Sequence, residues 1–293
     1  MSEKFIDREY LLDSFKDYNT DIVEKKFDQV NSNLMRTRIY DAPRCVLTDN
    51  KNIITSDYGY SYSDITNMLT NGDWRKYIKN GDYIRLTTLN GEVFNMIFNI
   101  NTYKDYGDTS VGSHIDLISE HLIPSSKGWQ MRTENTNNGT VDNPNPFLAS
   151  TNMIDKLSTY YTDNIPDGLK SHIVTKRLLV PKRYSDSGTL TDDNGWNWKD
   201  LGKMWIPFEQ EVTGRQVLGS KEYQGGLRWY PCFQDGTQLN KRLGENRDRY
   251  NWWTASAYSG NLTSFVVVEY YGRIRDGNAL DTWLSVPLCM RFK

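Results

Sequence analysis

The chain has 293 residues, 38% hydrophobic and 13% aromatic, enough to bury one large core or two modest ones. Its 35 basic and 37 acidic residues leave a net charge of -2 with no block of like charge, which argues against nucleic acid and against an anionic membrane surface as partners. The longest apolar run is about four residues, Phe265 to Val268, and the first residues carry no continuous apolar stretch, so neither a membrane span nor a signal peptide is expected.

Residues 3 to 38 contain neither glycine nor proline. Apolar side chains recur there at Leu11, Phe15, Tyr18 and Ile22, and again at Val23, Phe27, Val30 and Leu34. Both sets step by four, three and four, as a helical seam does, but the second is displaced by one residue. The pattern fits one helix with a register break, or two helices. Such a stripe must be buried on something, either its own body or a partner. We read residues 1–45 as a helical docking or oligomerisation arm and 55–293 as the main domain.

Pro43 and the polar run Thr48 to Asn52 mark a linker. Ser63 and Asp64 are placed to cap a short helix carrying Ile65, Met68 and Leu69, which Asn71-Gly72 ends. Asp82 to Ile100 reads as a hairpin, with Tyr83-Ile84-Arg85-Leu86, a turn at Asn90-Gly91, and alternating Phe94, Met96, Phe98 and Ile100. Residues 124–147, rich in proline, serine and asparagine, read as a long surface loop. A helix is expected over Thr151 to Tyr161, with Met153, Ile154, Leu157 and Tyr161 inward, then a short one near Leu169 to Ile173. Tyr184 to Lys199 reads as another polar loop, with Trp196 and Trp198 near its end. From Leu201 on, short strands broken by glycine are expected. The terminus alternates strictly: Leu284, Val286, Leu288, Met290 and Phe292 are apolar, with Ser285, Pro287, Cys289 and Arg291 between. That is a strand with one face buried. Pro287 cannot donate to a ladder, which favours an edge strand or a position among the first residues.

Cys45, Cys232 and Cys289 are odd in number and widely spaced, as buried free thiols of a reducing compartment would be. His114, His121 and His172 show no zinc spacing. Asp192-Asp193-Asn194-Gly195 offers oxygen ligands without the alternation of a calcium loop, and reads as a turn. A Gly-x-Ser-x-Gly elbow, a His-Glu-x-x-His motif and a phosphate loop are all missing. Acidic residues are abundant, but no spacing singles out an acid/base pair. The expectation is a protein without enzymatic activity, metal or cofactor.

Trp205-Ile206-Pro207-Phe208-Glu209-Gln210-Glu211-Val212-Thr213-Gly214, then Tyr230-Pro231-Cys232-Phe233, Trp252-Trp253-Thr254-Ala255-Ser256, Gly272 and Val286-Pro287-Leu288-Cys289, follow one another in an order that carries a resemblance. The chain resembles an uncharacterised domain family of bacteriophage and gut bacterial proteins, and the motif order is similar to that of the C-type lectin-like fold of phage tropism determinants. The likeness covers residues 60 to 293 and is most typical over 200–293. Phe208 stands where the family places Ser or Thr, which weakens the helix cap expected there. The resemblance implies an α+β lectin-like domain with antiparallel sheets behind the helical arm. It also implies a virion structural protein, made in the host bacterial cytoplasm and placed on a tail, neck or head fibre. Its partners would be other virion chains, further copies of itself, and host-surface glycan or protein. A purely structural connector is the alternative, and a glycan-degrading enzyme is the third class.

Trp252 and Trp253 are adjacent, point to opposite faces of a strand, and read as core. Contact residues are expected in the loops flanking the Phe265 strand: Tyr258, Asn261, Tyr270, Tyr271, Arg273, Arg275, Asp276, Asn278, Asp281 and Thr282. These mix aromatic faces with planar donors and acceptors, the chemistry that meets sugar rings and protein surfaces. Solvated hairpin tips carry the same residue types.

Overall fold

The structure is a computed structural model that describes residues 43–48, 60–106, 109–184, 195–219, 226–234, 236–241, 243 and 248–293. The expected arm, with Leu11, Phe15, Tyr18, Ile22, Phe27, Val30 and Leu34, lies outside the described residues, as do most of the linker and the Asp192 turn. Contacts along the chain divide it into two units, Met1–Pro43 and Arg44–Lys293. The second is mixed α+β with mostly antiparallel sheets and few helices.

In chain order its elements are β1 (Cys45–Thr48), α1 (Tyr62–Asn71), β2 (Tyr83–Thr87), β3 (Val93–Ile100), β4 (Ile115–Ile123), α2 (Thr151–Asn164), α3 (Asp167–Lys170), β5 (Ile173–Val174), β6 (Arg177–Pro181) and β7 (Trp196–Asp200). There follow β8 (Met204–Trp205), α4 (Glu209–Thr213), β9 (Trp252–Ala257), β10 (Ser264–Val268), β11 (Ile274–Asn278) and β12 (Val286–Phe292). A seven-stranded sheet runs β1-β2-β3-β4-β12-β5, with β8 also paired to β12. A three-stranded sheet runs β11-β10-β9, and β6 pairs with β7.

The expected hairpin forms as its alternation requires, with Leu86 opposite Phe94 and Ile84 opposite Met96 across β2 and β3. The turn is held by Thr88, whose N–H donates to the Glu92 carbonyl at 2.8 Å and whose hydroxyl donates to the Asn90 side chain. Helix α1 is capped by Ser61, two residues before the expected pair. The Ser61 hydroxyl accepts from the Asp64 N–H at 3.1 Å while the Asp64 carboxylate accepts from the Ser61 N–H at 2.8 Å, a reciprocal capping box. Ser63 lies inside the helix, and Ile65, Met68 and Leu69 form its buried face. Helix α2 runs on to Asn164 and buries Tyr160 as well as Met153, Leu157 and Tyr161, with Ile154 only half-buried. The next helix is shorter and earlier than expected, and Ile173 belongs to β5.

Three expectations are corrected. All seven residues of β12 are buried, so the terminal strand has no solvated face. It pairs with β4 on one edge and with β5 and β8 on the other, and its Arg291 is compensated inside rather than exposed. Pro287 sits second in this interior strand, beside a register shift between Pro287 and Cys289 that tolerates the missing donor. The segment 124–147 has no strand, yet it buries Trp129, Met131, Asn137, Asn145 and Phe147. Its backbone polar groups find partners in other segments: Arg132 N–H meets the Ala279 carbonyl, Asn137 N–H the Leu262 carbonyl and Gly139 N–H the Arg183 carbonyl. A Cβ at Gly139 would fall 2.3 Å from the Pro144 carbonyl oxygen, so that crossing admits only glycine. Trp196 and Trp198, assigned to a loop end, lie on β7, and among the described residues the stretch from Leu201 holds β8, a short helix and tight turns before β9.

Candidate functional site

Strands β9 and β10 are wholly buried, whereas β11 is mostly half-buried with Arg275 exposed. Trp252 stacks on Phe233 with ring centroids 6.1 Å apart, and Trp253 donates its indole N–H to the Trp129 carbonyl at 2.6 Å. Both tryptophans are core, on opposite faces, as their adjacency implied. The stiff centre holds two sets of turns at its ends. Ser264 pairs with Asn278 and Val268 with Ile274, so the ten expected contact residues split between ends about 13 Å apart at the rise of a strand.

At the Ser264 end the side chains are occupied with building the turn. Asn261 Oδ1 accepts from the Thr263 and Ser264 N–H groups at 2.9 and 2.8 Å, the self-bonding turn that asparagine favours. Asp281 accepts from the Asn278 N–H, and Asn278 from the Leu280 N–H. The carbonyls of Tyr258 and Asn261 accept from both Asn137 and Arg183. Asn261, Asn278 and Asp281 are half-buried and bonded within these turns. Tyr258 is half-buried and Thr282 is exposed.

The other end is different. The Glu269 to Arg273 turn closes through Glu269 N–H to the Arg273 carbonyl and Gly272 N–H to the Glu269 carbonyl, both at 2.8 Å, with Gly272 at φ +89° where other residues are strained. Tyr270 and Tyr271 project from it 53% and 46% exposed, their rings perpendicular with centroids 4.6 Å apart. Beneath them Glu269 is nearly buried and pairs with Arg275 at 3.3 Å. The Tyr271 hydroxyl and the Arg275 and Arg273 guanidinium groups hold its carboxyl below the ordinary range. Asn251 fixes the base by accepting from the Tyr270 N–H at 2.6 Å. The result is a rigid pair of aromatic faces rimmed by Arg273 and Arg275, with Asp276 half-buried on the same strand.

Sequence reading missed an ionic cluster sealed in the core. Lys176 Nζ donates to Glu211 Oε1 at 2.6 Å and to the Tyr230 hydroxyl at 2.7 Å, and lies 3.5 Å from the centroid of the Trp205 ring. Tyr103 donates to the same Glu211 oxygen, and Tyr230 donates to Asp116 Oδ2 at 2.8 Å. Asp116 then takes both Nε and an Nη of Arg291, at 2.7 and 2.8 Å. Burial pushes the Asp116 carboxyl up, but the Arg291 guanidinium outweighs it and holds that group well below the carboxylate range. Burial lowers Lys176 against the pull of Glu211, and raises both tyrosines. All these side chains are within 1% of full burial, so the cluster is closed to solutes. The one trace in the sequence was the Glu-x-Glu motif. Glu211 reaches back to the Phe208 N–H at 2.8 Å, and Glu209 takes the N–H groups of Val217, Leu218 and Gly219. Phe208 has no side-chain acceptor for α4, so Glu211 supplies the surviving half of the cap.

Cys232 and Cys289 are buried free thiols and Cys45 is partly exposed; burial pushes the Cys289 thiol up, away from the reactive thiolate. His114 and His121 are buried and His172 stacks on Phe292. Among the described residues no group of three His, Cys, Asp or Glu is placed to hold a metal ion, and no helix is long and apolar enough to cross a membrane. No protein-family model, curated protein or solved structure matches this chain.

Proposed function

We propose that this chain is a bacteriophage virion structural protein, part of a tail, neck or head fibre or decoration. In this reading the 1–45 arm anchors it and a C-type lectin-like domain is displayed for attachment to the host surface. The observation that supports display is the Glu269–Arg273 turn. Two exposed tyrosines are held in one geometry by a buried sheet, so little side-chain freedom is lost when a partner covers them. The ionisable side chains of the Lys176, Glu211, Asp116 and Arg291 cluster are mutually satisfied and closed off, which fits a scaffold better than a reaction vessel. Antiparallel sheets with few helices are the architecture the resemblance implies.

The test is binding of the full chain to host bacterial cells. Tyr271→Ala and Arg273→Ala should each weaken binding by about tenfold or more while melting temperature stays unchanged, since both side chains are exposed. If micromolar protein binds neither cells nor cell-wall glycan, and loss of residues 1–40 stops incorporation into particles, the chain is a connector and the attachment reading fails.

A further inference from the structure

We infer that an open groove between α2 and the β6-β7 hairpin is a binding site for an uncharged carbohydrate. The site lies on elements remote in sequence from the Glu269–Arg273 turn, and its argument does not rest on the role proposed for that turn.

The hairpin register builds one wall. Arg177 pairs with Asp200 and Leu179 with Trp198, so Arg177, Leu179, Trp198 and Asp200 share one face of the two strands. Leu178 and Val180 turn to the other face and are buried there, which fixes the face bearing Trp198 outward. The second wall is the first turns of α2, where Asp155 follows Thr151 at the i, i+4 spacing that puts both on one side. Asn143 also lines the groove. The space enclosed is about 580 Å³, within the usual range of ligand sites.

What lines this space selects the ligand. Trp198 is 39% exposed in a concave setting, with the Arg177 guanidinium 5.9 Å from its ring centroid, and offers indole surface to a flat, C–H-bearing partner. Asp155 and Asn143 bring planar acceptors and an amide donor. Neither side chain makes a hydrogen bond or ion pair among the described residues, so each has its full capacity for hydroxyl groups. On this face Arg177 stands with two anions, Asp155 and Asp200, and pairs with Asp200 at 3.9 Å, while Lys199, opposite Leu178, springs from the other face. A groove without excess positive charge favours neither a phosphate nor a polyanionic sugar. A docked amphipathic helix would need a row of apolar anchors, whereas here Trp198, Leu148 and Ile154 share the lining with six polar residues. A stacking platform flanked by acceptors for adjacent hydroxyls matches a pyranose ring.

The experiment is a screen of the full chain against immobilised neutral oligosaccharides built on N-acetylglucosamine, galactose, glucose and rhamnose, followed by titration of the best one in solution. We expect saturable binding with a change in tryptophan fluorescence. Trp198→Ala should weaken it about 30-fold or more, and the isosteric Asp155→Asn should weaken it with unchanged melting temperature. Tyr271→Ala should leave it unaltered. The inference is overturned if no oligosaccharide binds at millimolar concentration, if binding survives both groove variants, or if a peptide library, and no sugar, binds in a manner dependent on Trp198. Cell attachment lost in Tyr271→Ala while sugar binding ignores Trp198 would remove the groove and leave the proposed function standing.

Discussion

At the scale of single residues, the cluster around Lys176 and Asp116 decides most. A buried charge stripped of its partner is left desolvated and uncompensated, whereas a pair removed together costs far less. Lys176→Met should therefore destabilise by about 3–5 kcal/mol, because Glu211 keeps only the Tyr103 hydroxyl and its backbone contact. Adding Glu211→Gln should cost much less than its effect alone, and a double-mutant cycle in urea measures the coupling. If Lys176→Met costs under about 1 kcal/mol, the ion pair is not held as described. Asp116 sets a pH dependence. Its folded pKa lies below the unfolded value of about 3.9, so between the two the unfolded chain binds more protons and stability rises with pH. That contribution is fully present above about pH 4 and is lost as pH falls toward the folded pKa. Burial raises the Glu209 carboxyl and so acts with the opposite sign, which makes the difference between wild type and Asp116→Asn the quantity to measure. The stability curve of Asp116→Asn should be flatter below pH 4, and equal slopes would contradict the assignment.

At the scale of elements, local signals succeeded where one periodicity and one turn agreed. The β2-β3 hairpin, the α1 buried face and the adjacent tryptophans of β9 were legible because each depends on neighbours within a few positions. Helix α1 shows the limit of that legibility. Both Ser61 and Ser63 precede an apolar run, but only Ser61 stands three residues before Asp64, the spacing that lets each side chain reach the other's N–H. Ser61→Ala should cost about 0.5–2 kcal/mol in denaturant unfolding, and Ser63→Ala, already inside the helix and exposed, close to nothing. The reverse order would restore the cap to Ser63. Strand β12 misled for a different reason. Alternation of apolar and polar residues says which side chains share a face, not whether the other face is wet. Arg291 reads as a solvated position until Asp116, far away in sequence, is known to meet it.

At the scale of the whole molecule, what joins the parts was the least legible. Segment 124–147 has the composition of a surface loop, and nothing local distinguishes it from one. Its burial comes from partners on β6, 36 positions away at Asn145 and Pro181, and on the turns of the three-stranded sheet, 121 positions away at Asn137 and Tyr258. Asn137 is the clearest case, since its side-chain amide lies within 3.0 Å of the carbonyls of Tyr258, Asn261 and Ser264. Arg183 donates to two of the same carbonyls, so the segment, the end of β6 and the β9-β10 turn form one knot. The candidate turn at Tyr271 stands on the far end of β10 from this knot, and its residue types alone did not separate it from the structural end. Asn137→Ala would leave the Tyr258 and Asn261 carbonyls with Arg183 alone and the Ser264 carbonyl with the Tyr258 N–H, a loss of about 0.5–1.5 kcal/mol for each hydrogen bond removed. Amide exchange should then quicken across residues 128–147 and 258–264 together, while the β2-β3 hairpin keeps its protection. Exchange that quickened evenly over the chain would mean that the knot is not a separate tie but part of one global unfolding unit.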